Sequence, residues 1–343
     1  MKFDFVIGNP PYQEDIKKKG DRPNPIYDRF MDASFEIGNK VCLIHPSRFL
    51  FNAGQTPKLW NEKMLKDSHF KIIDYWSDAT KVFPSTEIKG GVAISYRDVS
   101  KNFGAIEVFT AYTELNKIVK KVLNVVDKGL KLDSIIASQG LYRFSELFFE
   151  EHPESKSIIG SGTGNKIVSS VMEKMPDVFL DNKIEEVECV RFLGRVNNQR
   201  TYKYIKREYL IENRYIDTYN LFIPEANNSG KFGETLTEPT LGYPGDGSSD
   251  TFLSAGCFSS EIEPLNLSKY FKTKFFRALL GVKKVTHHCP PTVWSMIPLQ
   301  NFTPDSDIDW SVSVADIDKQ LYKKYGLSPE EIEFIETHVK EMV

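Results

Sequence analysis

The sequence predicts an α/β protein, with a layered and largely parallel sheet over the first hundred residues and a mixed, loop-rich part after it. Three observations predict this. Short apolar runs at 3 to 7, 40 to 46, 70 to 76 and 90 to 98 have the length and composition of strands. Segments with helical spacing separate the earlier of these runs. Beyond about residue 103 that rhythm gives way to short strands, glycines and polar turns.

The elements follow in order. FDFVI (3 to 7) reads as a strand that ends in Gly8 and a Pro-Pro loop. In PIYDRFMDASFEIG (25 to 38), Ile26, Phe30, Ala33 and Ile37 recur at helical spacing, with Pro25 suited to a first turn and Gly38-Asn39 to a stop. KVCLIHP (40 to 46) is a short buried strand closed by proline. TPKLWNEKMLKDS (56 to 68) is a helix with Thr56 as cap and Pro57 at its first turn. FKIIDYW (70 to 76) and GGVAISYRD (90 to 98) are strands joined by a loop containing VFPSTEIK. GAIEVFT then reads as a strand and ELNKIVKKVLNVVDKG as a helix. NLSKYFKTKFFRALLGVKK (266 to 284) reads as one basic helix. The C-terminal stretch reads as two short helices broken at Gly326-Leu327, with Ser328 and Glu331 forming a capping box.

A chain of 343 residues has room for two domains and a small third, and the expected divisions are 1–105, 106–300 and 301–343. With 41% hydrophobic and 27% charged residues and no apolar run of membrane-spanning length, it reads as a soluble globular protein. The N-terminus has no secretion-signal pattern, and Cys42, Cys189, Cys257 and Cys289 never form a Cys-x-x-Cys pair. A reducing cytoplasm is therefore the expected setting. A net charge of −3 argues against gripping nucleic acid with the whole surface, but it permits a local basic face.

Chemistry concentrates in IGNPPYQ (7 to 13). Pro10 and Pro11 have fixed φ and no amide hydrogen, and Asn9 and Pro10 each precede a proline, which holds both extended. Such a loop is a rigid cluster of acceptors with an aromatic ring, Tyr12, beside it. A reaction on an exocyclic aromatic amine needs this arrangement. The amine shares its lone pair with the ring, and two acceptors against its N–H groups draw it towards tetrahedral geometry. The Asn9 side-chain oxygen and the Pro10 carbonyl would be those acceptors, each worth ~3 kcal/mol of barrier. Tyr12 would stack on the base, which must first be flipped out of its duplex. The same letters also fit a stiff turn or a polyproline-type ligand, although Pro-Pro and Tyr are adjacent here, without the spacer residue of the familiar ligand form.

FDFVIGNPPYQ resembles the Asn-Pro-Pro-Tyr motif of adenine-specific DNA methyltransferases from bacterial restriction–modification systems, including the aromatic-acidic-apolar run before it. KVCLIHPSRFLFN resembles that family's next strand, and TKVFPSTEIKGGVAISYRD its later hairpin, where Phe83 matches an aromatic that contacts the flipped base; a core position is the other reading of Phe83. WSMIPLQNF and LYKKYGLSPEEIEFIE resemble the C-terminal region of combined restriction-methylase proteins. The resemblance implies a partial doubly wound methyltransferase sheet followed by a mixed α+β target-recognition domain. It also implies S-adenosylmethionine as methyl donor and double-stranded DNA as substrate.

The family binds S-adenosylmethionine with a glycine-rich turn after its first strand and an acidic residue after its second. In the common order both precede Asn-Pro-Pro-Tyr, so the expectation is that this chain holds half of a catalytic sheet. The other half would come from an N-terminal methyltransferase segment, a separate subunit or another copy of the chain, paired along an open strand edge. SIIGSGTGNKIVSSVMEKMP (157 to 176) is the only internal candidate, and reads better as a loop.

The DNA-facing residues are expected in two basic clusters. One comprises Arg191, Arg195, Arg200, Lys203, Lys206 and Arg207, interleaved with Tyr202, Tyr204 and Tyr209; the other includes Lys272 and Arg277. A solvated charged surface is the plainer reading of any one of them. His287-His288-Cys289 gives no metal-ligand spacing, and no metal is expected. Two functions remain open: the catalytic-loop half plus recognition domain of an adenine N6-methyltransferase, or a non-catalytic DNA-recognition subunit with a relic loop.

Overall fold

The computed structural model describes every residue except 1, 15–22, 52–54, 85, 87, 89, 126–129, 160, 161, 163, 285 and 343. The chain divides into two compact units, Met1–Asn116 and Lys117–Val343. Residues 301–343, read from the sequence as a segment of their own, lie within the second.

The first unit begins with β1 (Phe3–Gly8), α1 (Tyr27–Ile37) and β2 (Gly38–Pro46), followed by α2 (Lys58–Lys66), β3 (Phe70–Trp76) and β4 (Val92–Asp98). The Tyr27, Met31 and Phe35 positions of α1 and the Trp60 and Met64 positions of α2 recur every four residues, which puts each set on one helix face. They pack with Val41, Leu43 and Phe70 of the sheet and with Phe49, whose ring centroid lies 5.0 Å from that of Trp60. Helix α1 starts at Tyr27, two residues after Pro25. In α2 the cap position belongs to Pro57, and the Thr56 hydroxyl instead donates to Asn61 at 2.7 Å.

The four strands form one sheet in the order β1-β2-β4-β3. Only β1 and β2 are parallel; β4 runs antiparallel to both β2 and β3. The expectation of a largely parallel sheet is thus corrected to a mixed one. The reason is the β3–β4 connection, which returns as a hairpin with no crossover helix. GAIEVFT forms no strand. Gly104 and Glu107 take positive φ (76° and 55°), and the Phe103 and Glu107 amides donate to Ser68 and Leu65 carbonyls at 2.7 and 2.9 Å, so no ladder is available to them.

One face of this sheet is covered by α1 and α2, which bury Val41 and Leu43. The opposite face carries Phe3, Phe5 and Ile7, which are 56%, 63% and 80% exposed. Strand β1 is an edge strand, hydrogen-bonded among the described residues only to β2.

The second unit begins with α3 (Thr113–Val125), which starts at the end of the first, and α4 (Glu146–Glu151), α5 (Ser155–Ile159) and α6 (Ser169–Lys174). Strands β5 (Cys189–Val196), β6 (Gln199–Lys206), β7 (Tyr219–Pro224), β8 (Thr240–Gly242), β9 (Asp246–Ser248) and β10 (Phe252–Phe258) come next. They build two three-stranded sheets, β6-β5-β9 and β10-β7-β8. Helices α7 (Ile262–Lys272), α8 (Lys274–Leu280), α9 (Val314–Lys324) and α10 (Pro329–His338) complete it.

The single basic helix expected over 266 to 284 is two helices. Thr273 leaves helical geometry, its hydroxyl accepts from the Phe276 amide, and the buried Asp318 carboxylate accepts from the Lys274 and Phe275 amides at 2.9 Å each. These groups cap α8 and stop α7. At the C-terminus, Gly326 (φ 61°) breaks the chain and the Ser328–Glu331 capping box opens α10, as the sequence indicates.

Candidate active site and nucleic-acid interface

The parallel pairing of β1 with β2, ending at Gly8 opposite Leu43, sets the carboxyl ends of the two strands side by side. Asn9, Pro10, Pro11 and Tyr12 therefore emerge next to the His45-Pro46-Ser47-Arg48 turn. Asn9 and Pro11 are exposed, while Pro10 and Tyr12 are half-buried. The loop is fixed from behind: the Tyr12 carbonyl accepts from the Ile26 amide at 3.2 Å, and the Glu14 amide donates to the Asn24 carbonyl at 2.9 Å.

Beside the loop lies a cavity of about 270 Å³, walled by Tyr12, Gln13, Pro25, Tyr27, Pro46, Arg48, Gln55, Thr86 and Ile88. The Tyr12 hydroxyl is buried and, among the described residues, has no hydrogen-bond partner. Burial pushes its pKa up to about 12, so it remains a neutral phenol. Tyr27 is likewise raised to about 12 by burial, against the opposing hydrogen bond from Thr56. Phe83 stands beside Tyr12, with centroids 6.4 Å apart and planes at 71°. The two rings meet edge to face, so Phe83 braces Tyr12 and is not a parallel plate opposite it.

His45 supports this wall from inside. It is fully buried, stacks on Tyr27 (6.3 Å, 6°), and uses both nitrogens, with Nε2 2.8 Å from the Ser95 hydroxyl and Nδ1 3.0 Å from the Pro46 carbonyl. Burial lowers its pKa to about 4, opposed by the Pro46 hydrogen bond. The ring is therefore neutral near pH 7. A carbonyl can only accept, so Nδ1 carries the proton and Nε2 accepts from Ser95. Sequence reading missed Gln13, Tyr27, Arg48 and Gln55 as cavity residues. The one available signal was the HPSRF turn at a strand's carboxyl end.

The glycine stretch at 160 to 164 is where a cradle for S-adenosylmethionine would have to lie. Residues 160, 161 and 163 lie outside the described residues. The segment before them is the helix α5, not a strand, and Gly162 and Gly164 face open space. A cofactor cradle needs a strand–turn–helix, so this stretch does not fit the group.

The expected basic face is partly assembled. β5 and β6 pair as a hairpin, with Arg191 opposite Tyr204, Leu193 opposite Tyr202 and Arg195 opposite Arg200. Most of the cations are already engaged. Arg191 makes two hydrogen bonds to Asp246 (2.8 and 2.6 Å) and lies 4.4 Å over the Tyr202 ring. Lys203 projects from the other side of the hairpin and pairs with Asp181. Lys206 lies near Glu151 and Glu208, Arg207 is shared by Glu188, Glu212 and Asp217, and Lys272 pairs with Glu238 at 2.7 Å. Arg277 is 2% exposed and donates to the Glu234 and Lys272 carbonyls, which corrects its expected place at a DNA surface. Helix spacing turned it into the core. Arg195 and Arg200 remain exposed, and among the described residues neither is within ion-pair distance of a carboxylate.

Residues 1–83 match the family model of the Eco57I restriction-modification methylase. An uncharacterized adenine-specific methylase of Mycoplasma pneumoniae is 32% identical over 95 residues, covering 27% of this chain and 22% of that protein. The Type II methyltransferase M.BstVI of Geobacillus stearothermophilus is 30% identical over 174 residues, covering 45% of this chain and 30% of that protein. The chain thus matches less than a third of the length of either relative. Among solved structures, the type IIG restriction endonuclease BpuSI aligns over 98% of this chain and 54% of its own, at 11% identity and TM-score 0.32. The type IIL restriction-modification enzyme MmeI, solved in complex with DNA, aligns over 97% and 56%, at 11% identity and TM-score 0.33. The N-terminal segment is thus similar to restriction–modification methylases. The adenine-specific methylase of Mycoplasma pneumoniae agrees with the resemblance carried by FDFVIGNPPYQ.

Among the described residues no helix is long and apolar enough to cross a membrane, and no group of three or more His, Cys, Asp or Glu side chains is placed to hold a metal. His288 turns to Glu225 at 3.0 Å while Cys289 is buried.

Proposed function

We propose that this chain is the catalytic-loop part of an adenine N6-methyltransferase acting on DNA in a restriction–modification system. One observation carries the proposal: an exposed, proline-stiffened Asn9–Pro11 loop stands at the carboxyl end of β1 beside a cavity walled by Tyr12. That cavity, about 270 Å³, is many times the volume one water needs and has room for a small planar ligand. Tyr12 supplies a neutral aromatic face for stacking, and Phe83 walls its edge. The Asn9 amide oxygen and the Pro10 carbonyl accept from the adenine amine and stabilise the positive charge that grows on it. S-adenosylmethionine is the methyl donor such enzymes use. The stretch at 157 to 176 does not fit it, which supports a donor site on another half of the sheet.

Two features support that division. β1 has an open edge, and its outward residues Phe3, Phe5 and Ile7 form an exposed apolar row. Soluble proteins seldom leave such a row on an unprotected edge strand. A parallel strand with its helix, supplied by the cofactor-binding half, would cover both.

The test combines this chain with a cofactor-binding methyltransferase half and measures transfer of radiolabelled methyl groups to duplex DNA. Transfer should appear only with both parts, and Asn9→Ala should lower it by a factor of 10² or more. Calorimetry of the chain alone should detect S-adenosylmethionine binding that is weak or absent. Micromolar binding by the chain alone would overturn the division. Unchanged transfer in Asn9→Ala would overturn the catalytic loop and favour a recognition subunit.

A further inference from the structure

The β5–β6 hairpin ends in an exposed tip rich in amides and cations. Its turn is two residues long, Asn197-Asn198, both at positive φ (49° and 62°), the geometry of a type I′ turn. The turn is flanked by Val196 opposite Gln199 and then by Arg195 opposite Arg200. Like charges directly across a strand pair repel. Their guanidinium groups diverge, Arg195 to the Asn198 carbonyl at 3.0 Å and Arg200 to Thr240 and the Glu238 carbonyl at 2.8 and 2.6 Å. Each retains N–H donors directed at no protein acceptor among the described residues.

The tip also carries three amide side chains, Asn197, Asn198 and Gln199, all exposed. Among the described residues none of these side chains makes a hydrogen bond, although the Asn197 backbone amide donates to Glu173 at 2.7 Å. The third strand of this sheet, β9, pairs only with Arg191–Leu193. Beyond Leu193 one face of the strand pair is covered: Gly194 lies against Met172 of α6, the Arg195 and Asn197 amides donate to Ser169 at 3.3 Å and to Glu173 at 2.7 Å, and Val196 packs against the core. The turn from Asn197 to Gln199 and the outward Arg195 and Arg200 stay open, as the tip of a two-stranded ribbon of the kind a DNA major groove admits.

We propose that the tip of this hairpin, Arg195 to Arg200, enters the DNA major groove, where the amides of Asn197, Asn198 and Gln199 read base edges while Arg195 and Arg200 hold the flanking phosphates. Asn and Gln amides pair bidentately with adenine N6 and N7, so the expected preference is for adenine at one or two adjacent positions. This rests on the DNA methyltransferase reading and adds which residues choose the site.

The full chain is incubated with a pool of random-sequence DNA duplexes, and bound duplexes are sequenced after selection at several salt concentrations. The wild type should enrich adenine at adjacent positions. Asn198→Gly, which keeps the turn, and Gln199→Ala should each lose that preference about tenfold at one position, with little change in bulk affinity. Gln199→Glu should move the preference from adenine towards cytosine, whose N4 amine needs an acceptor. Arg195→Gln with Arg200→Gln should weaken binding to all sequences alike and reduce the salt slope by about two. Melting temperatures verify that each variant folds. Unaltered base preference and salt slope in these variants would overturn the hairpin assignment, and so would a wild type that binds no duplex. Loss of methyl transfer in Asn9→Ala is read separately, so the hairpin can fail while the catalytic loop stands.

Discussion

At the scale of single residues, the site depends on groups kept neutral or unpaired by burial. The Tyr12 hydroxyl has no partner among the described residues, so Tyr12→Phe should leave melting temperature nearly unchanged and methyl transfer within about threefold of wild type. Tyr12→Ala removes the stacking face, worth about 1–3 kcal/mol per base, and should weaken binding of duplexes that carry an unpaired adenine. His45 gives a pH prediction. Its folded pKa, about 4, lies below its ordinary value of 6.5 because burial disfavours the charged ring. The unfolded chain therefore takes up the proton first. Stability is intact above pH 6.5 and falls as pH drops towards 4, by on the order of 3 kcal/mol in total. Thermal melts of the first unit between pH 7 and pH 4 should show this slope, and His45→Gln should flatten it. An equal slope in the variant would assign the effect elsewhere.

At the scale of elements, caps and turns decide where helices stop, and here they override periodicity. The basic run from 266 to 284 has continuous helical propensity, yet Thr273 and the distant Asp318 divide it. Asp318→Ala would leave two buried amide donors without an acceptor, at about 1–3 kcal/mol each. The second unit should lose about 2 kcal/mol or more in urea unfolding, while Asp318→Asn, which keeps one acceptor oxygen, should lose less. The same division explains Arg277. Its position on α8 faces the core, a fact fixed by the break and invisible to a charge count. By contrast, the Ser328–Glu331 capping box was legible because its whole interaction lies within four residues.

At the scale of the whole chain, the exposed row of Phe3, Phe5 and Ile7 on an open edge is the largest departure from a self-sufficient core. Replacing all three by serine should lower the melting temperature of the isolated chain only modestly, since more than half of each side chain is already in water. The same replacement should abolish association with the cofactor-binding half in analytical ultracentrifugation. A large drop in melting temperature would instead mean that the row is buried in solution by something else. The mixed sheet has a related origin. Strand identity was readable along the first hundred residues, but strand direction was not, because a hairpin and a crossover can begin with the same apolar run.

The sequence alone determined the stiffness of the loop, since the fixed φ of Pro10 and Pro11 is a local property. It also determined most strands and helices of the first unit, whose apolar periods are short and regular. Only the tertiary structure decided which cations are free, because ion pairing joins residues as far apart as Arg191 and Asp246 or Lys272 and Glu238. It likewise decided that Tyr12, Tyr27 and Arg48 share a cavity. Partners brought together by chain reversal leave no period or spacing in a single sequence.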